Sequence, residues 1–140
     1  MQDISLHILD IAENSIRAGA TKIIVDIFEN PGEDLLGVCI TDNGPGMDEE
    51  TIRKATDPFY TSKPGKRVGL GISLLAQAAR EGGGKLEIES EPGGGVKLFA
   101  RFGYNHPDRK PLGDIQGTMK ILSITHPEIE FVYQHEKGKE

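Results

Sequence analysis

The sequence predicts an α+β fold, a two-layer sandwich in which helices cover one face of a mixed, mostly antiparallel sheet. Three observations support it: a helical apolar periodicity over residues 3–18, two hairpin-like pairs of segments at 21–41 and 85–102, and further helical segments at 49–56 and 71–80. With 140 residues, 36% of them hydrophobic, the chain is long enough to bury one core, so we expect one domain.

The first helix is amphipathic. At 100° per residue, one broad arc suits burial and contains Ile4, Ile8, Leu9, Ile11, Ala12, Ser15 and Ile16. The opposite arc is polar, with Leu6 as its one large apolar side chain, and contains His7, Asp10, Glu13, Asn14 and Arg17. Gly19 is expected to end the helix.

The remaining elements follow from local patterns. Residues 21–28 and 35–41 are apolar and β-branched, with a turn cluster at 30–34, and residues 85–91 and 96–102 alternate strictly around a glycine-rich turn. Residues 57–71, with two prolines and three glycines, predict a long loop. A helix at 114–125 and a strand at 128–134 complete the chain, so a core of about 3–102 precedes an αβ extension of about 103–135.

The composition and charge of the chain argue against some classes of function. A net charge of −6 argues against a broad nucleic-acid or anionic-membrane footprint, although segment 61–67 is locally basic. We expect no membrane insertion, because no apolar run approaches the roughly 18 residues that span a bilayer. The N-terminus lacks a secretory pattern and the single cysteine, Cys39, fits a reducing compartment, so a cytoplasmic location is expected.

The turn that follows Asp42 is the first candidate site. Asp42 ends an apolar strand, and Gly44 and Gly46 let backbone approach a flat ligand closely. An ionised carboxylate only accepts hydrogen bonds, so it can bind an amino group such as the exocyclic amine of adenine. Taken alone, this Asn-Gly turn is equally consistent with a simple chain reversal.

The polar face of the first helix is the second candidate. Asp10 and Asn14 are four residues apart and therefore share a face. The Asn14 amide oxygen suits Mg²⁺, Asp10 is placed to orient or deprotonate a nucleophile, and Arg17 can pair with a phosphate. A solvated helix face is the alternative, and it remains our interpretation for Glu13 and His7.

The third candidate is the basic loop. Gly69 and Gly71 lead into a helix whose N-terminus can bind phosphate, and Lys63, Lys66 and Arg67 add positive charge. The sequence has no P-loop motif, and a basic surface loop is the alternative. Together, however, the three segments are what a magnesium–nucleotide site needs.

These segments resemble the ATP-binding domain of the GHKL superfamily, which comprises gyrase, heat-shock chaperone, histidine kinase and MutL. Residues 9–15 and 18–20 resemble its N box, with a sequence most similar to that of MutL. Residues 42–48 resemble its G1 box. Residues 57–63 and 68–72 resemble the F and G2 boxes of sensor histidine kinases. The similarity covers about residues 5–102.

The resemblance implies a Bergerat fold with ATP between helices and a lid. It implies that Asn14 binds Mg²⁺, that Arg17 binds a phosphate, that Asp42 binds the adenine amine, and that Gly44 and Gly46 shape the adenine pocket. The lid would run from Lys63 to Gly71 and include Lys66, Arg67, Gly69 and Leu70, with Gly69 and Gly71 nearest the phosphates.

Two residues depart from the family pattern. Hydrolytic members have Glu where this chain has the shorter Asp10, and many kinases have Thr where it has Val96. The first departure argues against efficient hydrolysis, so Asp10 is only a possible general base.

The resemblance therefore implies a stand-alone ATP-binding domain of histidine-kinase type that phosphorylates or regulates a protein partner. None of the four histidines lies in a phosphoacceptor motif. Two alternatives remain: a nucleotide-dependent binding module that switches partners without catalysis, and a slow ATPase. Residues 103–135 match no motif.

Overall fold

A computed structural model of the chain describes residues 3–56 and 70–138. Its helices are α1 (Ile4–Ala18), α2 (Glu49–Thr56), α3 (Leu70–Glu81) and α4 (Ile115–Thr125). Its strands are β1 (Lys22–Asn30), β2 (Leu35–Asp42), β3 (Lys85–Ser90), β4 (Val96–Gly103) and β5 (Glu130–Lys137), with a short 3₁₀ turn at Pro31–Glu33. Each expected helix and strand is present, with ends shifted by three residues or fewer, whereas most of the loop expected at 57–71 lies outside the described residues.

The strands form one sheet in the order β3-β4-β2-β1-β5. Neighbouring strands are antiparallel except β5, which runs parallel to β1. The parallel pair is possible because α4 provides the crossover. The predicted α+β sandwich with a mixed, mostly antiparallel sheet is therefore confirmed.

Burial alternates along the strands, so the two faces of the sheet differ. The helix-facing side chains of β1, for example, are Ile23, Val25 and Ile27, all at most 1% exposed. They pack with the apolar arc of α1, which lies between α3 and α4. No described helix covers the opposite face, which we call the open face.

Helix α1 is fixed at both ends. The carboxylate of Asp3 accepts a hydrogen bond from the backbone N–H of Leu6 and caps the N-terminus. The backbone N–H groups of Ile4 and Ser5 donate to the carbonyls of Pro111 and Leu112, both at 2.9 Å. The polar connection that precedes α4 thus satisfies donors that a helix start leaves unpaired.

At its C-terminus, α1 ends at Gly19 as predicted. Gly19 has a φ of 114°, a left-handed conformation that favours glycine. Its N–H donates to the carbonyl of Ile16, and the N–H of Ala20 donates to that of Ser15, both at 3.0 Å. The chain is thereby turned directly from α1 into β1.

The C-terminal extension is part of the same core. Met119 and Leu122 of α4 are 5% and 0% exposed and belong to the main apolar cluster. On the next turn, Nε2 of His126 lies 2.7 Å from a carboxylate oxygen of Glu13 on α1. The extension therefore supports the helix that carries the candidate site residues.

The expectation that His7 lies on a solvated face was wrong. His7 is 6% exposed, because the connection at 110–112 packs over the start of α1. Burial, which disfavours the charged ring, lowers the pKa of His7 below its ordinary value of 6.5, although the Asp10 and Asp3 carboxylates oppose this effect.

In the part of the chain that the structure describes, we find no helix with the length and apolar character needed to cross a membrane.

We expect Leu122→Ala to lower the free energy of unfolding by about 2–5 kcal/mol, because it leaves a cavity in the shared core. Urea denaturation measures the loss. Ile124, on the same helix, is 70% exposed, so Ile124→Ala is the matched control and should stay within about 0.5 kcal/mol of wild type. Equal small effects of both variants would contradict the assignment of α4 to the core.

The lowered pKa of His7 predicts a pH-dependent stability. His7 of the unfolded chain is protonated near pH 6.5, whereas His7 of the folded chain is protonated only at lower pH. The stability that the folded state has while His7 is neutral is therefore complete above pH 6.5 and is lost as the pH falls through that value. We expect His7→Gln to reduce the fall in the urea midpoint between about pH 7.5 and pH 5.5. An NMR titration midpoint of His7 at or above 6.5 would show that burial does not dominate.

Candidate functional site

Asp42 stands at the end of β2 with a fixed carboxylate. Its Oδ2 accepts a hydrogen bond from the Ser15 hydroxyl of α1 at 2.8 Å, and its Oδ1 accepts one from the backbone N–H of Gly44 at 2.8 Å. In the sheet, Asp42 is paired with Ile23 on one side and Val96 on the other. Each carboxylate oxygen keeps a lone pair, so the oriented group can accept a further hydrogen bond from a ligand amine.

The backbone of the turn after Asp42 is closely packed. Gly46 has a φ of 78°, and a Cβ at this position would overlap the backbone carbonyl oxygen of Glu91. Gly93 donates its N–H to the carbonyl of Pro45 at 2.6 Å. The turn thus packs on the β3–β4 loop. This packing requires glycine at position 46 for a structural reason, in addition to its predicted role in a ligand pocket.

Gly44 is constrained by the carboxylate itself. A Cβ at this position would lie 3.1 Å from Oδ1 of Asp42 and 3.5 Å from the Cβ of Ala20. The missing side chain therefore leaves room for the Asp42–Gly44 hydrogen bond and keeps the space beside the carboxylate open.

Asn14 and Arg17 form a pair on α1. Nη1 of Arg17 donates to Oδ1 of Asn14 at 2.8 Å, and this contact fixes the amide orientation because a guanidinium needs an acceptor. The Asn14 Nδ2 is buried and has no hydrogen-bond partner among the described residues. Buried donors without a partner are uncommon, and an anionic or water ligand beside Asn14 would satisfy this one.

Asp10 meets the N-terminal turn of α3. A Cβ at Gly71 would lie 2.7 Å from Oδ2 of Asp10 and 3.1 Å from Cγ1 of Ile11. The missing side chain at Gly71 lets the two helices pack closely, and the approach brings a carboxylate to the positive end of a helix. Asp10 itself makes no side-chain hydrogen bond or ion pair with a residue that the structure describes.

Helix α1 therefore brings two of the predicted segments together. Ser15 binds the Asp42 turn, and Asp10 contacts the start of α3. Leu70 opens α3, but its side chain lies outside the described part of the structure. Residues 63–69 of the predicted lid lie wholly outside it, and they include Lys63, Lys66, Arg67 and Gly69.

Sequence reasoning missed two residues of the site. Ser15 was placed on the buried arc of α1, yet its hydroxyl orients Asp42; the signal was the lone hydroxyl on an otherwise apolar arc, next to Asn14. Asn43 ties the turn to the start of β1: its Oδ1 accepts from the N–H groups of Thr21 and Lys22 at 2.8 and 3.0 Å. An asparagine in a turn gave no signal for this contact.

The sequence model of the family described as histidine kinase-, DNA gyrase B-, and HSP90-like ATPase matches residues 2–105, and this chain belongs to that family. The matched region contains Asp10, Asn14, Ser15, Asp42 and Gly71. It ends before α4 and β5, so the extension lies beyond the family core.

Curated relatives include sensor kinases. The chain is 31% identical over 98 residues to "Sensor histidine kinase TmoS" of Ectopseudomonas mendocina, covering 66% of this chain and 10% of that protein. It is 34% identical over 90 residues to "Sensor protein kinase FleS" of Pseudomonas aeruginosa, covering 64% of this chain and 22% of that protein. The chain thus spans about a tenth to a fifth of the length of these relatives.

Two solved structures share the fold. "Crystal Structure of N terminal domain of a DNA repair protein" superposes with a TM-score of 0.71 at 18% identity, covering 99% of this chain and 50% of that one. "Aquifex aeolicus MutL ATPase domain complexed with ADP" gives a TM-score of 0.56 at 20% identity, covering 96% of this chain and 60% of that one. These structures support the fold, and the family match with the sensor-kinase relatives identifies the chain as a GHKL ATPase domain of histidine-kinase type.

Proposed function

We propose that this chain is a magnesium-dependent ATP-binding domain that acts as a protein kinase, or as a kinase-like regulator, on a partner protein. The proposal is carried by one observation: α1 contacts both the Asp42 turn, through Ser15, and the start of α3, through Asp10. A nucleotide site needs an element that joins a base-binding group to a phosphate-binding one, and α1 is in that position.

At the adenine end, the proposed ligand contact is Asp42. Ser15 and Gly44 hold the carboxylate in one orientation, and its remaining lone pairs accept the exocyclic amine. Val96, the partly exposed apolar neighbour of Asp42 on β4, suits a flat purine ring. Val96 offers no hydroxyl for a water-mediated contact, so recognition of the base depends on Asp42.

At the phosphate end, the proposed ligands are Asn14, Arg17 and the N-terminus of α3. The amide of Asn14 fits a metal–phosphate site, because Arg17 uses only one lone pair of Oδ1 and the buried Nδ2 still lacks a partner. Mg²⁺ held by Oδ1 would neutralise charge on the polyphosphate. Arg17 and the helix dipole add positive potential at the same place.

Asp10 is the proposed general base. It precedes Asn14 by one helical turn and lies against the start of α3, so it can accept a proton from an attacking hydroxyl or imidazole of a partner. Phosphoryl transfer would otherwise depend on positioning and charge neutralisation. We propose that Lys63, Lys66, Arg67, Gly69 and Leu70 complete the site as a lid, within a single cytoplasmic domain.

One observation favours a second candidate, a nucleotide-dependent module that switches partners without catalysis. No hydrogen bond from a described residue orients the Asp10 carboxylate, whereas a general base needs a fixed position. In this reading, nucleotide binding would change affinity for a partner by a difference in contacts alone. A slow ATPase is a third, weaker candidate.

We expect calorimetry to detect ATP and ADP binding that requires Mg²⁺. Asp42→Asn replaces an acceptor with a donor at nearly constant shape and should weaken binding by about 1–3 kcal/mol. Asp108→Asn, an exposed carboxylate outside the site, is the matched control and should leave affinity unchanged. Equal affinities for wild type and Asp42→Asn would overturn the assignment of the adenine contact.

Incubation with γ-labelled ATP distinguishes the candidates. A kinase transfers label to a protein in cell extract, a slow ATPase releases free phosphate, and a switch does neither. We expect transfer of the label to protein, at a rate about 100-fold or more lower in Asp10→Asn if Asp10 is the base.

We expect no acid-labile, base-stable label on His7, His106, His126 or His135 of the purified chain, and its appearance there would refute the prediction.

A further inference from the structure

The open face of the sheet is half apolar and has no described element packed on it. Reading across the sheet in register, Glu87, Phe99, Cys39, Asp26 and Gln134 stand side by side on β3, β4, β2, β1 and β5. These side chains lie between the two sheet edges and line a groove of about 700 Å³. That volume is within the usual range for ligand-sized concavities.

Two phenylalanines make the floor of this groove. The rings of Phe28 and Phe99 stack, with centroids 5.8 Å apart and an interplanar angle of 18°. Phe28 can lie flat because its strand neighbour is Gly37, where a Cβ would overlap the Phe28 ring. A glycine inside a strand often marks such a close approach. The absence of a side chain at Gly37 therefore makes room for the Phe28 ring in the floor.

A carboxylate without a partner stands beside this floor. Asp26 is partly buried on β1, between Ile24 and Phe28 on the same face, yet it makes no side-chain hydrogen bond or ion pair with a residue that the structure describes. Two other carboxylates of the groove have partners: Glu87 is paired with Arg101 at 2.8 Å, and Glu29 with the His135 ring at 2.7 Å. A half-buried, unpaired carboxylate is unfavourable in a strand, and a cation beside it would offset that cost.

The outer parts of the groove add negative charge. Glu89 on β3 and Glu136 on β5 are exposed, and neither forms an ion pair with another described residue. In all, five carboxylates and two lysines line the groove. A cation at the centre would thus have Asp26 as its counter-ion and further carboxylates on either side. The Phe28 ring lies nearby, whereas the Phe99 ring already has the Arg101 guanidinium 5.6 Å from its centroid.

We propose that the open face is a docking surface for a basic amphipathic helix of a partner protein, with an arginine or lysine that pairs with Asp26 while apolar side chains cover Phe28 and Phe99. Five strands about 4.8 Å apart span about 19 Å, which accommodates a helix of about 10–12 Å diameter. The same strands already pack helices on their other face. The site is separate from the nucleotide site, which lies on the helix-facing side.

A synthetic peptide tests this surface without nucleotide. The probe is a fluorescein-labelled amphipathic peptide of about 14 residues made of leucine and arginine at helical spacing, and its control carries glutamate in place of arginine. Fluorescence anisotropy should show binding of the arginine peptide about tenfold or more tighter than that of the glutamate peptide, and weakened by salt. No binding of the arginine peptide would overturn the proposal.

Variants locate the binding. Asp26→Asn should weaken binding of the arginine peptide about tenfold. Asp108 is an exposed carboxylate that does not line the groove, so Asp108→Asn should change the affinity less than about twofold. Backbone amide shifts should change in residues 24–28, 37–41 and 97–101. Equal affinity of wild type and Asp26→Asn, or shifts confined to the helices, would refute the docking surface.

Two further readouts separate the explanations. Light scattering without peptide should give a monomer; self-association that Asp26→Asn abolishes would mean that the face binds a second copy, and would overturn the proposed occupant. Asp26→Asn should keep wild-type ATP affinity and far-UV circular dichroism. Loss of peptide binding with intact ATP binding supports the surface, and failure of ATP binding in Asp42→Asn bears only on the nucleotide site.

Discussion

Helix α1 is the element on which the rest of the structure depends. Its apolar arc covers the sheet, and its polar side carries Asp10, Asn14 and Arg17. Both roles require one rotational setting, because a turn of the helix about its axis would move the site residues away from Asp42. The cap at Asp3, the left-handed Gly19 and the Ser15–Asp42 hydrogen bond together fix that setting.

The two faces of the sheet have separate physical characters. One face is a dry apolar layer under three helices, with the candidate site at the strand ends where β1, β2 and β4 meet α1. The other face combines an aromatic floor with unpaired carboxylates. Because side chains alternate along each strand, the residues of one face can differ in chemistry without changing the packing of the other.

Much of this arrangement could be predicted from particular residues. The apolar spacing of α1, the glycine at its end and the alternation of β3 and β4 gave elements whose ends shift by at most three residues. The roles proposed for Asp42 and Asn14 rest on side-chain chemistry that needs few neighbours, and they stay predictions. His7 and Ser15 were misjudged because their surroundings come from distant parts of the chain: the connection at 110–112 buries His7, and Asp42 accepts from Ser15.

The sequence by itself determined the elements, the fold class and the chemical character of the site residues, since periodicity, turn residues and side-chain type are local properties. Only the tertiary structure decided which residues meet. The parallel pairing of β5 with β1, the contact of Asp10 with the start of α3, and the isolation of Asp26 beside Phe28 depend on register and helix approach. Those are set by packing of residues far apart in the chain, which no local pattern encodes.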